Sequence, residues 1–217
     1  MSSGEAYSMT ETVIGILASG RGSNAQAIVD AVRAGRIRGK AAVLISDNPQ
    51  ASVLKRAKEW GIEVCCLDRK SYASHADFEA ALAAELDRHG VRLLLLAGFM
   101  RLLSPAFIHL YKGRIMNIHP SLLPSFPGLH AQEQAVNYGA RVSGCTVHFV
   151  DDGMDTGPII LQEAVPVYED DSADNLAARI LAVEHRLYPE AVRLFCEGRL
   201  QVNGRHVRIL NSGEVPK

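Results

Sequence analysis

Val13-Ile14-Gly15-Ile16-Leu17-Ala18, followed by Ser19-Gly20-Arg21-Gly22-Ser23-Asn24, is the stretch on which the fold turns. The first six residues are apolar without alternation, the pattern of a strand buried on both faces of a parallel sheet. The glycine loop then opens a helix from Ala25 to about Ala34, with Ala27, Ile28, Val29 and Val32 apolar and Gly35 as its stop. In such a unit the glycines let backbone approach an anion, and the helix N-terminus favours phosphate. Gly20-x-Gly22-x-x-Ala25 also satisfies a relaxed dinucleotide pattern, with Asp47 after the second strand. A third reading is a tight packing turn. Ser23 and Asn24 suit a terminal phosphate, and Asp47 sits in a Ser-Asp-Asn-Pro turn with its own use for an aspartate.

The unit repeats along the chain. Strands are expected at 41–45, 63–67 and 92–96, and helices at 51–60 and 78–89, with 69–75 as loop. Ser104-Pro105 opens a short helix to about Tyr111, and a fifth strand leads to residues 117–119. Beyond it come a Pro/Gly-rich loop at 125–130, a helix at 131–138, strands at 143–150 and 159–169, and a long helix to about Cys196 interrupted near Pro189. The spacing predicts an α/β fold with a doubly wound, mostly parallel sheet and a Rossmann-like N-terminal half. Residues 1–11 are expected to be a disordered extension, 12–200 one domain, and 201–217 a short strand or tail.

The chain has 217 residues, a net charge of −1 and four cysteines, none in a C-x-x-C pair. Near-zero charge gives no bulk attraction to nucleic acid or to a membrane surface. The longest apolar run, Leu93 to Ala97, is too short to span a bilayer, and the N-terminus lacks a signal-peptide pattern. A cytoplasmic protein with reduced thiols is expected.

Asn117-Ile118-His119-Pro120-Ser121-Leu122-Leu123-Pro124 places an amide and an imidazole on the same side of an extended chain, with prolines stiffening the exit. An amide can face a developing oxyanion, and an imidazole can move protons near neutral pH. Asp155, in the turn Asp151-Asp152-Gly153-Met154-Asp155-Thr156-Gly157-Pro158, could reach back to the ring and favour its imidazolium form. A capped, well-packed turn explains the same residues without catalysis. His148 reads as a core or supporting histidine, His130 as a turn residue or site wall, and Glu184 as a solvated helix charge. The acidic residues of the turn lack His or Cys at ligand spacing, so no metal is expected.

Ser19-Gly20-x-Gly22-Ser23-Asn24, Ala97-Gly98-Phe99-Met100-Arg101, Asn117-x-His119-Pro120-Ser121-Leu122-Leu123-Pro124 and Asp151-x-Gly153-Met154-Asp155-Thr156-Gly157-Pro158, in this order, resemble the folate-dependent formyltransferases over about residues 12–200. The resemblance implies the formyltransferase fold and transfer of a formyl group from 10-formyltetrahydrofolate, a co-substrate, to the amine of glycinamide ribonucleotide in purine biosynthesis. It implies Asn117, His119 and Asp155 as the catalytic trio. Gly22, Ser23, Asn24 and Leu181, Ala182, Val183, Glu184 become ribonucleotide contacts, which turns Glu184 from a solvated charge into a ligand. Arg69, Met100, Arg101, Leu102, Leu103, Asn117 and Asp151, Asp152, Gly153, Met154, Asp155 become folate contacts. Small-molecule substrates and a monomer or homodimer go with that implication. Within the family, a formyltetrahydrofolate hydrolase carries an extra N-terminal domain and a methionyl-tRNA formyltransferase an extra C-terminal one, and neither is expected here. A dehydrogenase and a non-catalytic nucleotide-binding module are the readings outside it.

Overall fold

The computed structural model describes residues 11–211, 213 and 214. Most of the expected N-terminal extension, residues 1–10, lies outside these. β1 (Thr12–Leu17), β2 (Gly39–Ser46), β3 (Glu63–Cys66), β4 (Leu93–Leu96) and β5 (Ile115–His119) pair in parallel in the order β3-β2-β1-β4-β5. Strand order reverses direction between β1 and β4, so a crevice opens beyond their carboxyl ends, the usual ligand position in such sheets. β6 (Val142–Phe149) and β7 (Ile159–Pro166) then add in antiparallel fashion. β8 (Leu200–Asn203) and β9 (His206–Ile209) form a hairpin whose β9 pairs in parallel with β7. Among the described residues the result is one mostly parallel, nine-stranded sheet.

Alternate strand residues feed two cores. Ile14, Ile16, Leu93 and Leu95 pack under α1 (Ser23–Arg33), α2 (Ser52–Glu59), α5 (Ala131–Tyr138) and α6 (Ala173–Cys196). Leu17, Leu94 and Leu96 pack under α3 (His75–Arg88) and α4 (Pro105–Leu110). With both faces covered, the central strands are apolar throughout, which is why they lack alternation.

Several boundaries differ from the sequence expectation. α3 starts at His75, because Ser74 and Asp77 form a reciprocal capping box. Residues 69–71 form a 3-10 turn capped by Asp68. β7 ends at Pro166, and Val167 turns to donate to the Arg141 carbonyl. α6 is continuous through Pro189. The proline removes one N–H, but the adjacent Tyr188 is fully buried and its one hydroxyl proton is shared between the Leu96 and Met116 carbonyls, 3.1 and 2.9 Å away. Ala191 and Val192 are also fully buried, so packing on both sides of Pro189 holds the helix together. Among the described residues no helix is long and apolar enough to cross a membrane.

Candidate active site

The glycine loop leaves β1 at the reversal of strand order. Gly22 is the N-cap of α1 at φ 73, a left-handed conformation natural to glycine, and a Cβ there would run into the Val53 side chain. Glycine brings no side chain to the cap, so none competes for the first N–H groups of α1. α2 braces the loop: Val53 N–H donates to the Gly20 carbonyl at 3.1 Å, and Arg56 Nη1 to the Arg21 carbonyl at 2.7 Å.

Asn24 Nδ2 donates to Glu184 Oε2 at 2.8 Å, joining α1 to α6 inside the protein. Burial pushes the Glu184 carboxyl above its usual range, against the opposing pull of the Asn24 hydrogen bond. Asn24 Oδ1 is buried and has no hydrogen-bond partner among the described residues. An acceptor left open beside a buried carboxyl suits a ligand that brings hydroxyl or N–H donors. Of the neighbouring positions, Val183 belongs to the core, Leu181 is half-buried and Ala182 is exposed.

Asp47 is almost fully buried and committed elsewhere. It accepts from Ser19 Oγ at 2.6 Å and pairs with the Arg101 guanidinium. Ser19 Oγ also accepts from Met100 N–H at 3.2 Å. The carboxylate thus ties the exits of β1, β2 and β4 together, and it is not free to read a ribose as the dinucleotide pattern requires. Arg101 is held by the same contact.

At the end of β5, His119 Nε2 donates to the Phe126 carbonyl at 2.8 Å, and Nδ1 lies 3.4 Å from Asp155 Oδ2. Both nitrogens face oxygens that only accept, so a ring carrying both protons satisfies both contacts. Asp155 Oδ2 also accepts from Gly128 N–H at 2.8 Å. Asp155 itself sits at φ 53, uncommon for a residue with a side chain. Phe126 and His130 share that left-handed region at φ 51 and 60, so the Pro/Gly-rich loop supplies its catalytic-side contacts through backbone. The side chain of His130 is 76% exposed, at the N-cap of α5.

Asn117 lies opposite His148 in the β5–β6 register, and its Nδ2 is 3.2 Å from His148 Nε2. His148 Nδ1 is 2.8 Å from the Phe149 carbonyl, so Nδ1 carries the proton and Nε2 accepts from Asn117. Burial drives His148 below the usual imidazole range and keeps it in that neutral form. The Asn117 amide is thereby oriented, and its second N–H has no acceptor among the described residues. Register is invisible in a single sequence, so the reading of His148 as core or support had no means of finding this partner.

The loop after His119 is clamped from β6 and β7. Thr146 Oγ1 donates to the Ser121 carbonyl at 2.7 Å and accepts from Leu123 N–H at 3.1 Å. Gln162 Nε2 donates to the Leu123 carbonyl at 2.8 Å. Met100 and Leu102, at the exit of β4, are 69% and 68% exposed, and Met154 in the 151–157 turn is 52% exposed. Open methionine and leucine side chains suit a flat aromatic ligand. Leu103 points the other way, into the core beside Phe107, and Arg69 Nη1 donates to the Tyr72 carbonyl at 3.1 Å.

The sequence model of the family described as Formyl transferase matches residues 13–192. A phosphoribosylglycinamide formyltransferase of Escherichia coli K12 is 44% identical over 188 residues, 87% of this chain and 89% of its own. The crystal structure of glycinamide ribonucleotide transformylase 1 from Symbiobacterium toebii superposes with a TM-score of 0.92 at 54% identity, covering 97% of this chain and all of that one. A formyltetrahydrofolate deformylase from Burkholderia mallei has a TM-score of 0.84 at 27% identity, covering 94% of this chain and 71% of that one.

Proposed function

This chain belongs to the formyl transferase family, and on that premise we propose that it moves the formyl group of 10-formyltetrahydrofolate to the amine of glycinamide ribonucleotide, a step of purine biosynthesis. The observation that carries the reading is the pairing of His119 with Asp155 beside an Asn117 whose amide is turned by His148.

The amine attacks the formyl carbon, and the carbonyl oxygen becomes an oxyanion in the tetrahedral intermediate. The free N–H of Asn117 donates to that oxygen; one such donor is worth about 3 kcal/mol of barrier. His119 exchanges the Phe126 carbonyl for the reacting centre, so that Nε2 donates there while Asp155 holds Nδ1. The attacking amine loses a proton as the folate nitrogen gains one, and His119 relays it directly or through water. Gly22, Ser23 and Asn24 hold the phosphate at the α1 N-terminus, and Glu184 takes the hydroxyls of the ribose. Holding both substrates in line supplies much of the remaining acceleration. Met100, Leu102 and the 151–155 turn flank the folate. Arg101 and Leu103, committed to Asp47 and to the core, contribute to the folate side through the shape of their loop. Arg69 joins it only if its bond to Tyr72 opens.

The test supplies both substrates and follows tetrahydrofolate release spectroscopically, with the ribonucleotide omitted in a second arm. Release that requires the ribonucleotide is expected. Equal release in its absence would make water the acceptor, the reaction named for the Burkholderia relative, and would overturn the proposal.

A further inference from the structure

We propose that Arg205, at the tip of the β8–β9 hairpin, is a positioning residue that tethers the turn bearing Asp155 and so keeps that carboxylate against His119. The inference rests on the role given to Asp155 above and adds a part of the molecule, the C-terminal hairpin, that this role does not use.

Asp155 holds a left-handed backbone, a conformation that residues with side chains keep only where their surroundings impose it. Part of that constraint lies inside the turn. Asp151 Oδ1 accepts from Gly153 N–H at 3.2 Å and from Thr156 Oγ1 at 2.6 Å. Phe149 N–H donates to the Pro158 carbonyl at 2.9 Å and closes the base. Other ties come from outside: Gly128 N–H donates to Asp155 Oδ2 at 2.8 Å, His109 Nε2 lies 3.1 Å from Asp152 Oδ2, and Arg205 Nη2 donates to the carbonyl of Thr156, the residue next to Asp155, at 2.9 Å.

The hairpin is placed to deliver that donor. His206 is paired with Ile159 at the start of β7, so the adjacent Arg205 falls beside the turn that β7 leaves. The hairpin's base is locked by Leu210 N–H on the Arg199 carbonyl at 2.8 Å and Arg199 Nε on the Leu210 carbonyl at 2.6 Å. Arg205 is exposed and has no ion-pair partner among the described residues, so the core does not depend on it. The Thr156 carbonyl belongs to the Thr156–Gly157 peptide, so a charged donor on it fixes the exit of the turn, and with Thr156 Oγ1 already tied to Asp151 it holds Thr156 from both sides and restrains Asp155 through that neighbour.

The experiment compares wild type, Arg205→Met, Arg205→Lys and Asp155→Asn in the full chain. It measures kcat, KM for each substrate, Tm, and the ¹⁵N shifts of the His119 imidazole in ligand-free protein. Arg205→Met is expected to lower kcat about threefold to tenfold, with Tm and the ribonucleotide KM unchanged. Its His119 signals are expected to move toward those of Asp155→Asn. Arg205→Lys, which keeps a donor, is expected to restore both readouts. Wild-type kcat and wild-type His119 signals in Arg205→Met would overturn the proposal, as would equal impairment of the Met and Lys variants. If wild type shows no ribonucleotide-dependent transfer, the functional reading has failed. The His119 signals need no substrate and still decide the tether.

Discussion

Asn24 and Glu184 meet between two long helices, whereas His119 and Asp155 meet across a strand end, a Pro/Gly-rich loop and an open turn. The first pair is set by regular structure: α1 and α6 pack against the same sheet face, and their side chains touch inside the core. The second pair is set by backbone groups in unusual conformations, with Gly128 N–H and the Phe126 carbonyl as its partners. Helices hold a binding group firmly but bury it, and the cost appears as an uncomfortable carboxyl. Loops leave the reacting groups accessible to two substrates, and the cost appears as strained dihedrals. The binding side is therefore expected to respond to changes of charge, and the catalytic side to small losses of geometry.

The largest effect should come from the catalytic side. Asp155→Asn keeps the shape of the carboxylate and can still accept from Gly128, but it gives His119 Nδ1 a neutral partner. Turnover should fall by on the order of 10² or more, with an unchanged circular-dichroism spectrum and Tm. Near-normal turnover in a folded variant would break the contrast, because geometry alone would then suffice. Next is Ser23→Asp, at the α1 N-terminus. A carboxylate there repels phosphate, and ribonucleotide Kd should rise by about tenfold or more, while folate affinity stays put. Calorimetry showing unchanged ribonucleotide affinity would remove the phosphate from that loop.

The same division governs what can be read from the chain. The parallel half was legible because each strand–helix unit carries its own signals: an apolar run, a glycine stop, a cap. Asn117, His119 and Asp155 were legible as residue types in suggestive turns. Their partners were not. Phe126 and Gly128 act through backbone, which leaves no mark on residue identity. His148 meets Asn117 only through strand register, and Asp47 is drawn from a ribose-reading role by Arg101, far along the chain. Two misses did have a local signal. Ser74-x-x-Asp77 is a capping box that places the start of α3, and the apolar residues around Pro189 continue at helical spacing on both sides.

The smallest predicted effect bears on the binding side and concerns stability rather than turnover. Burial raises the Glu184 carboxyl above its unfolded value, so the folded protein binds that proton more tightly than the unfolded chain does. Its contribution to stability is fully present below the unfolded value of 4.5 and is lost as pH rises through the folded one. Above that point the protein carries a buried charge with one neutral donor among the described residues, Asn24 Nδ2. Glu184→Gln keeps an oxygen for Asn24 and removes the charge. Its Tm should match or exceed wild type by a few degrees at pH 8 and converge with it, or fall below, near pH 4.5. His148 works in the opposite sense in both proteins: burial lowers its pKa, so its contribution is present above 6.5 and fades as pH falls through the folded value. The difference between variant and wild type cancels that term and isolates Glu184. If Glu184→Gln instead lost Tm equally at every pH, the carboxylate would be a structural partner of Asn24. If it gained Tm at pH 8 and lost ribonucleotide affinity, the buried charge would be held against stability for the sake of the ligand, which is the form the contrast between the two sides requires.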